Sequence, residues 1–573
     1  MAQVISLPSV LRRRQAVSLL LLAVLTLLPF LGITDFNTVG EPREAVVSQS
    51  MLQTGNWVLP LNNGGDIAYK PPLFHWMAAL CSLPFGQVTE LSARMPSALA
   101  AIALAVYCFL FFSRRGKAST AFIASVCLLC TFELHRTAVS CRVDMLLTCC
   151  MVAATCELYK WAAERHLRGW PIGAVVLMSG GMLTKGFVGI VLPLMVVAVW
   201  MWLRGSGFWA VAWRMALLFA SAMVLPAVWY AAAWRQGGDA FLYMVYEENV
   251  LRFLGKMPYS SHEHGVFYYV PQLLSGLLPF SIVAVGALCF VPRKAWRRLL
   301  LWTRSWWQAF GQRLRQMDDA DLLSWLAIAV VVGFYLIPKS KRSVYVLPVY
   351  PFVAWFIAQL LEWMQAHRRK WLGAFATMLA VVVSMVFVAL MLVQMGVVPM
   401  GWLERIGLGE AAMAYQHVPA YAEWTWLAAV VAAVYAFYTL NAFGRPLSQV
   451  LYNAVLAFLL ADAMVLPPLL NQKSDKACAA VMEPYAAEAP VYSFLDEPTG
   501  MLHFYQINFY LEGRVKPFDA TAQKGYLLVG EKDAAVFRQR YPDVRLEPCI
   551  NFHHISHDNR HNRQNLLLYA FSR

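Results

Sequence analysis

Thirteen apolar blocks recur along this chain, at roughly 15–33, 94–113, 118–134, 139–162, 168–184, 186–203, 208–233, 266–291, 321–338, 344–364, 371–396, 424–443 and 447–468. Each approaches the length of about 20 residues that a helix needs to cross roughly 30 Å of hydrocarbon. In lipid every backbone N–H and C=O must be bonded internally, so blocks of this length fold as helices. A barrel would instead show alternating strands of about 10 residues. The reading is a polytopic α-helical membrane protein with about 13 transmembrane helices. Composition agrees, with 59% hydrophobic and only 14% charged residues among 573, where a soluble domain carries about a quarter charged.

The formal charge of +14 falls in short clusters between the blocks, so a nucleic-acid partner is not expected. With the N-terminus inside, the cytoplasmic connections receive Arg12 to Arg14, Arg114/Arg115/Lys117, Arg165/Arg168, Arg204, the run from Arg293 to Arg315, Arg368/Arg369/Lys370 and Arg445. That alternation follows the positive-inside rule and puts the C-terminus outside. The run from Gln15 to Ile33 lacks a small-residue cleavage site and reads as a retained first span.

Three outward segments exceed tight turns. Residues 34–93 read as an amphipathic stretch lying on the surface, with Pro42 suited to a first helical turn. Residues 234–265 carry Glu247, Glu248, Arg252, Lys256 and the paired His262 and His264. Residues 469–573 form a small exterior α/β domain after a transmembrane domain of residues 1–468. Its strand-like runs are PVYSFL, INFYLEG, GYLLVGE, VRLEPCINF and NLLLYAFS, with helical patterns at 474–488 and 531–541.

Nine of the eleven cysteines, Cys81 to Cys289, sit in or beside apolar blocks, where Cys behaves as a small hydrophobe. Cys478 and Cys549 lie in the polar C-terminal region, where an exterior location permits a disulfide between them. His262 and His264 flank Glu263 and are a candidate metal pair, leaving a divalent metal ion as an open cofactor. His553, His554, His557 and His561 read as solvated loop residues.

The outward ends of the blocks hold charges that the positive-inside rule does not explain. Glu41, Arg43 and Glu44 follow the first block, His135, Arg136, Arg142 and Asp144 separate the third and fourth, Lys185 interrupts the next pair, and Lys339, Lys341 and Arg342 follow the ninth. Cations held at the membrane interface suit an anionic lipid headgroup, above all a phosphate. Carboxylates beside them suit a general base; helix capping is the plainer alternative for Glu41 and Asp144.

The loop GEPREAVVSQSMLQTGNWVLP…YKPPLFHW resembles the first outward loop of the C-type membrane glycosyltransferases, nearest to the bacterial aminoarabinose lipid A transferases and their relatives in the protein O-mannosyltransferase superfamily. VDMLL around Asp144, LTKGFVGIVLP around Lys185, the run His264 to Tyr269 and KSKRSVYVLPVYP at 339–351 extend the resemblance in order. It implies an enzyme of the bacterial inner membrane, expected to act as a monomer. Such an enzyme moves a sugar from a polyprenyl-phosphate donor, with inversion, to an acceptor hydroxyl or phosphate on the periplasmic face. The acceptor is a membrane lipid such as lipid A, a protein or another glycan. In the family's first-loop motif, acidic-acidic-x-Arg, Gly40 stands in place of the first acid, so that either Asp35 compensates for it or Glu41 takes the base role alone. Tyr69 stands where the lipid A transferases place a metal-binding Glu. The expected roles are Glu41, Asp144 and Asp35 in catalysis, and Arg43, Lys70, Lys185, Lys341 and Arg342 around the lipid phosphate. A flippase without bond chemistry is the rival reading; it predicts inverted repeats, and none is visible.

Overall fold

The computed structural model describes residues 7–254, 263–290, 316–405, 445–496, 504–556 and 564–573, with isolated positions between them. The structure is mostly helical, and among the described residues six helices are long and apolar enough to cross a membrane. Two bent pairs add one broken span each if counted so: Ala118–Leu129 with Phe132–Ala138, at 66°, and Val266–Gly276 with Phe280–Phe290, at 112°. This is a polytopic membrane architecture. The expected span at 424–443 lies almost wholly outside the described residues.

The N-terminal part runs α1 (Leu7–Leu27), α2 (Gly40–Thr54), α3 (Leu73–Ser82), α4 (Glu90–Phe112), α5 (Ala118–Leu129), α6 (Phe132–Ala138), α7 (Val143–Tyr159), α8 (Ile172–Lys185), α9 (Val188–Leu203) and α10 (Phe208–Tyr246). Thr89 starts α4 with a capping box: its Oγ1 accepts from Ser92 N at 3.1 Å, and Ser92 Oγ accepts from Thr89 N at 2.8 Å. The central helix is α7, buried over most of its length and packed against α4, α8 and α9. The blocks at 168–184 and 186–203 become α8 and α9. Gly186, at φ +103, reverses the chain between them, a conformation that L side chains rarely adopt. Gly181 and Gly189 then let the two backbones meet, since a Cβ at Gly189 would fall 2.3 Å from Gly181 C.

The first outward segment differs from its expectation. Helix α2 does not lie on a surface with one wet face. Glu41, Pro42, Glu44, Ala45, Val46, Val47, Ser48, Gln49 and Met51 are all buried, between α3 and the C-terminal helix Tyr505–Tyr510. Helix α10 continues well past residue 233, is kinked at Gly238 and ends in a π-helical turn, Glu247–Leu251.

The C-terminal region holds one five-stranded sheet in the order β2-β1-β3-β5-β4, with strands β1 (Val491–Phe494), β2 (Val515–Pro517), β3 (Lys524–Gly530), β4 (Arg545–Ile555) and β5 (Asn565–Ser572). Strands β1–β3 are mutually parallel, whereas β5 is antiparallel to both its neighbours. Four of the five expected strands form; INFYLEG instead supplies the helix Tyr505–Tyr510, whose first five residues are all buried. A short apolar run buried on every side has no period that separates strand from helix. The expected Cys478–Cys549 disulfide is absent and both thiols are free. Cys478 is buried on the helix Lys476–Glu488, while Cys549 is exposed on β4. His554 is not a solvated loop residue either: on β4, its Nε2 lies 2.8 Å from the buried carboxylate of Asp475. His557 and His561 lie outside the described residues.

Candidate active site

Arg94, 1% exposed near the start of α4, organises the loop between α1 and α2. Its Nε and Nη2 donate to the two carboxylate oxygens of Glu41 at 2.8 and 3.1 Å. Its Nη1 donates to the carbonyls of Leu31 and Thr34 at 2.7 and 2.6 Å, and Nη2 also reaches Asp35 O at 3.2 Å. Glu41 Oε1 accepts a further bond from Cys141 N at 2.9 Å. Glu41 therefore pins α2 to α4 and to the turn before α7. A general base needs an oxygen open to the acceptor, and Glu41 is 5% exposed with both oxygens engaged. The structure thus corrects its expected role as base.

Asp35 also lies elsewhere than expected. Its carboxylate accepts from Lys476 Nζ at 2.8 Å, and Lys476 reaches Glu90 at 2.9 Å, so Asp35 ties the first loop to the C-terminal region. It does not replace the acid missing at Gly40.

Glu44, unassigned from sequence, is the hub of the first loop. It pairs with Lys70, lies 3.0 Å from His75 Nε2 and 3.5 Å from Arg43 Nη2. Burial alone would raise its pKa, but Lys70, His75 and Arg43 outweigh burial and hold it well below the usual carboxylate range. Burial lowers the Lys70 ammonium to about 8 despite the pull of Glu44. The Tyr69 ring packs against both cations, with centroid distances of 5.5 Å to Arg43 and 5.4 Å to Lys70.

Lys70 opens into a cavity of about 290 Å³. Apolar side chains form one part of its wall: Phe187, Val188 and Val191 at the start of α9, Trp229, Tyr230, Phe241 and Met244 of α10, and Phe334. Lys70, Lys185, Arg252, Glu248, Tyr69, Tyr335 and Tyr345 supply its polar groups. Lys185 ends α8, where a cation favours the helix dipole. It pairs with Asp144 in the first turn of α7 and lies 4.5 Å from the centre of the Tyr345 ring. Arg252 pairs with Glu248 at 2.8 Å.

Lys70 and Lys185 thus line one cavity, and Asp144 pairs with Lys185. Arg43 stays behind Lys70, against Glu44. Lys341, 3% exposed, is spent on the chain itself, donating to Pro338 O at 2.5 Å and His264 O at 3.1 Å. Arg342 lies at the edge of the same segment and does not line the cavity. Sequence reading missed Arg94 and the assignment of Arg252, Glu248 and Glu44. The signal for Arg252 was present: a cation one helical turn after Glu248 in the segment 234–265.

The metal reading finds no support in the donor set. Among the described residues no three His, Cys, Asp or Glu side chains converge on one point. His264 stacks on Tyr268 at 4.1 Å between ring centres, and His262 lies outside the described residues. At Tyr69 the buried phenol is held well above its usual pKa, so it does not offer a phenolate ligand.

Comparison with known proteins places this geometry. Residues 69–230, which carry Lys70, Asp144, Lys185 and Trp229, match the family model described as dolichyl-phosphate-mannose-protein mannosyltransferase. An undecaprenyl phosphate-alpha-4-amino-4-deoxy-L-arabinose arabinosyl transferase of Erwinia tasmaniensis is 27% identical over 332 residues, covering 56% of this chain and 54% of that protein. Its namesake in Shewanella sediminis is 27% identical and covers 64% of each. The chain spans little more than half the length of the first curated relatives it matches. The crystal structure of ArnT from Cupriavidus metallidurans bound to undecaprenyl phosphate superposes with a TM-score of 0.67 at 20% identity, covering 98% of this chain and 97% of that one. The superfamily resemblance is borne out. The fold is shared end to end with the ArnT structure.

Proposed function

We propose that the chain is a glycosyltransferase of the bacterial inner membrane that moves a sugar from a polyprenyl-phosphate donor to an acceptor on the periplasmic face. The observation that carries this reading is the cavity, apolar along α9 and α10 and cationic where Lys70, Lys185 and Arg252 meet. A polyprenyl phosphate has the same division between tail and head. The relatives' names favour an undecaprenyl carrier and an aminopentose, and the resemblance favours lipid A as acceptor. Thirteen crossings with the N-terminus inside belong to the same proposal. So does a division into a transferase domain, residues 1–468, and a periplasmic domain, residues 469–573.

In the proposed reaction an acceptor oxygen attacks the anomeric carbon opposite the phosphate. The bond from that carbon to the phosphate oxygen breaks, and the lipid phosphate leaves with the electron pair. Lys70, Lys185 and Arg252, fixed before reaction, stabilise the charge that grows on the leaving group more than they stabilise the ground state. Lys185 also couples donor to acceptor. A phosphate competing for its ammonium loosens Asp144, which then orients a hydroxyl acceptor and takes its proton. Glu41 positions the loop through Arg94 and touches neither substrate. The membrane adds confinement of the lipid donor, which reduces the entropy lost on meeting the acceptor.

The experiment is full-length protein in nanodiscs with polyprenyl-phosphate sugars, with Lys185→Ala and Arg252→Ala beside it. Loss of sugar from the lipid and its appearance on an acceptor, both weakened in the variants, is expected. Saturable donor binding without transfer to lipid, protein or glycan acceptors would replace this reading with transport.

A further inference from the structure

The helix Tyr505–Tyr510 is fastened to the segment 34–93 by several contacts. Asn508 donates to the side-chain oxygen of Asn63, and Gln49 Nε2 donates to Phe509 O at 3.3 Å. Gln53 Nε2 donates to Glu512 O at 3.2 Å just beyond the helix, and the rings of Phe36 and Phe509 meet edge to face at 4.9 Å. None of these contacts uses Tyr505. That side chain is 5% exposed and faces Arg43 and Tyr69, one layer behind Lys70. The backbone takes a costly course to put it there. Phe504 has φ +59° and ψ +38°, the left-handed region that a bulky residue rarely adopts. Such strain persists where the surroundings over-determine it, and it collects at functional sites. Phe504 is itself buried in the apolar core of the C-terminal region, so this one turn seats Phe504 in that core and presents Tyr505 to Arg43.

Arg43 needs such a hold. Among the described residues its guanidinium makes one hydrogen bond, a long one of 3.5 Å to Glu44, and its Nε is buried without a partner. Glu44 is bound more closely to Lys70 and to His75. The groups left to keep Arg43 beside Lys70 are the Tyr69 ring, 5.5 Å from the guanidinium, and the Tyr505 phenol. A phenol oxygen accepts from a guanidinium and orients it without cancelling its charge, whereas a carboxylate in the same place would neutralise it.

We propose that Tyr505 is a positioning residue for the donor cavity: from the C-terminal region its phenol holds Arg43 against Tyr69, so that Lys70 meets the lipid phosphate with a second positive charge behind it. Tyr505 does not line the cavity and touches no substrate. The inference rests on the transferase reading above and adds that the C-terminal region completes the donor site. It also ties Tyr505 to a measurable property of Lys70. Burial is the main cause that lowers the Lys70 ammonium to about 8; Glu44 of α2 and Asp144 of α7 oppose the lowering, and Arg43 of α2 adds to it. Lys185, Glu248 and Arg252 line the same cavity. If Tyr505 no longer holds Arg43, the repulsion on Lys70 weakens.

The test uses full-length protein in nanodiscs, with Tyr505→Phe, Arg43→Gln, the double variant, and Tyr510→Phe as a control on the same helix. Competitive labelling of lysines, followed against pH by mass spectrometry, reads the titration midpoint of Lys70 with no donor present. Wild type should titrate at about 8, and Tyr505→Phe should move the midpoint up toward 10.5. Arg43→Gln should move it at least as far, and the double variant no further than Arg43→Gln alone, because the two residues act through one contact. Tyr510→Phe should leave it in place. Binding of undecaprenyl phosphate at pH 7 should weaken about threefold to tenfold in Tyr505→Phe, with the unfolding temperature unchanged. An unmoved Lys70 midpoint in Tyr505→Phe, shifts that add in the double variant, an equal shift in Tyr510→Phe, or undiminished binding of undecaprenyl phosphate would each overturn the proposal. If wild type does not bind undecaprenyl phosphate saturably, the transferase reading fails separately, and the labelling alone decides whether Tyr505 positions Arg43.

Discussion

Around Arg94 every guanidinium nitrogen is used, its side chain is 1% exposed, and its partners lie on the loop after α1 and on α2. At the head of the cavity the same chemistry is arranged differently. Lys70, Lys185 and Arg252 each have a carboxylate, yet their side chains remain 17%, 23% and 27% exposed. A buried and saturated pair can only hold structure together, because nothing can reach it without breaking it. A partly exposed pair beside an apolar cavity can exchange its carboxylate for an incoming anion. The difference teaches that charges in a membrane protein divide by what they still have to offer, and sequence position alone does not display that.

The largest effect expected from this contrast is structural. Arg94→Ala leaves Glu41 buried and unpaired and should cost about 3–5 kcal/mol of stability, read as a lower unfolding temperature in detergent. Glu41→Gln should destabilise too, while the fraction that stays folded keeps donor affinity near wild type. If Glu41→Gln instead abolished turnover in fully stable protein, Glu41 would return to the catalytic group.

Cavity variants should do the reverse. Lys185→Ala or Arg252→Ala should weaken donor binding by one to two orders of magnitude, about 1.4–2.8 kcal/mol, with a much smaller change in unfolding temperature. Equal losses in both measurements would erase the distinction between the two regions.

Lys70 sharpens the comparison through pH. Its ammonium, lowered by burial to about 8 from 10.5, is charged below that pH and neutral above it. Donor affinity should therefore be full below pH 8 and fall as pH rises through it, and Lys70→Arg should remove the dependence. Between pH 8 and 10.5 the unfolded chain binds more protons at this site than the folded one, so Lys70 makes stability rise with pH across that window. The smallest effect is expected at the C-terminal contact. Tyr510 OH accepts from Phe36 N at 3.2 Å and donates to Glu90 at 3.0 Å, so Tyr510→Phe should cost about 0.5–1.5 kcal/mol and leave donor binding unchanged.

Much of this was legible in the sequence. Apolar length marked the helices, and charges flanking apolar blocks picked out Lys70 and Lys185, which line the cavity, and Asp144, which pairs with Lys185, because charge beside such blocks is rare enough to carry information. Arg94 was not legible: it stands at the first residue of an apolar block, and only the folded chain shows Glu41 and three backbone carbonyls converging on it. Glu41 and Glu44 lie three residues apart with the same chemistry, yet α2 turns one toward Arg94 and the other toward Lys70. Lys341 reads like Lys185 in sequence, but a local turn spends its ammonium on carbonyls. The proposed Cys478–Cys549 pairing failed for a similar reason, since two cysteines in one polar region carry no record of which faces they occupy.

The most direct test of the account is mass spectrometry of an undecaprenyl-phosphate aminopentose incubated with purified protein and lipid A in nanodiscs. The account predicts that the sugar leaves the carrier and appears on lipid A, with Lys185→Ala and Arg252→Ala losing most of this transfer and Glu41→Gln retaining it in proportion to its folded fraction. An intact donor despite saturable binding, or transfer that survives loss of both Lys185 and Arg252, would contradict it.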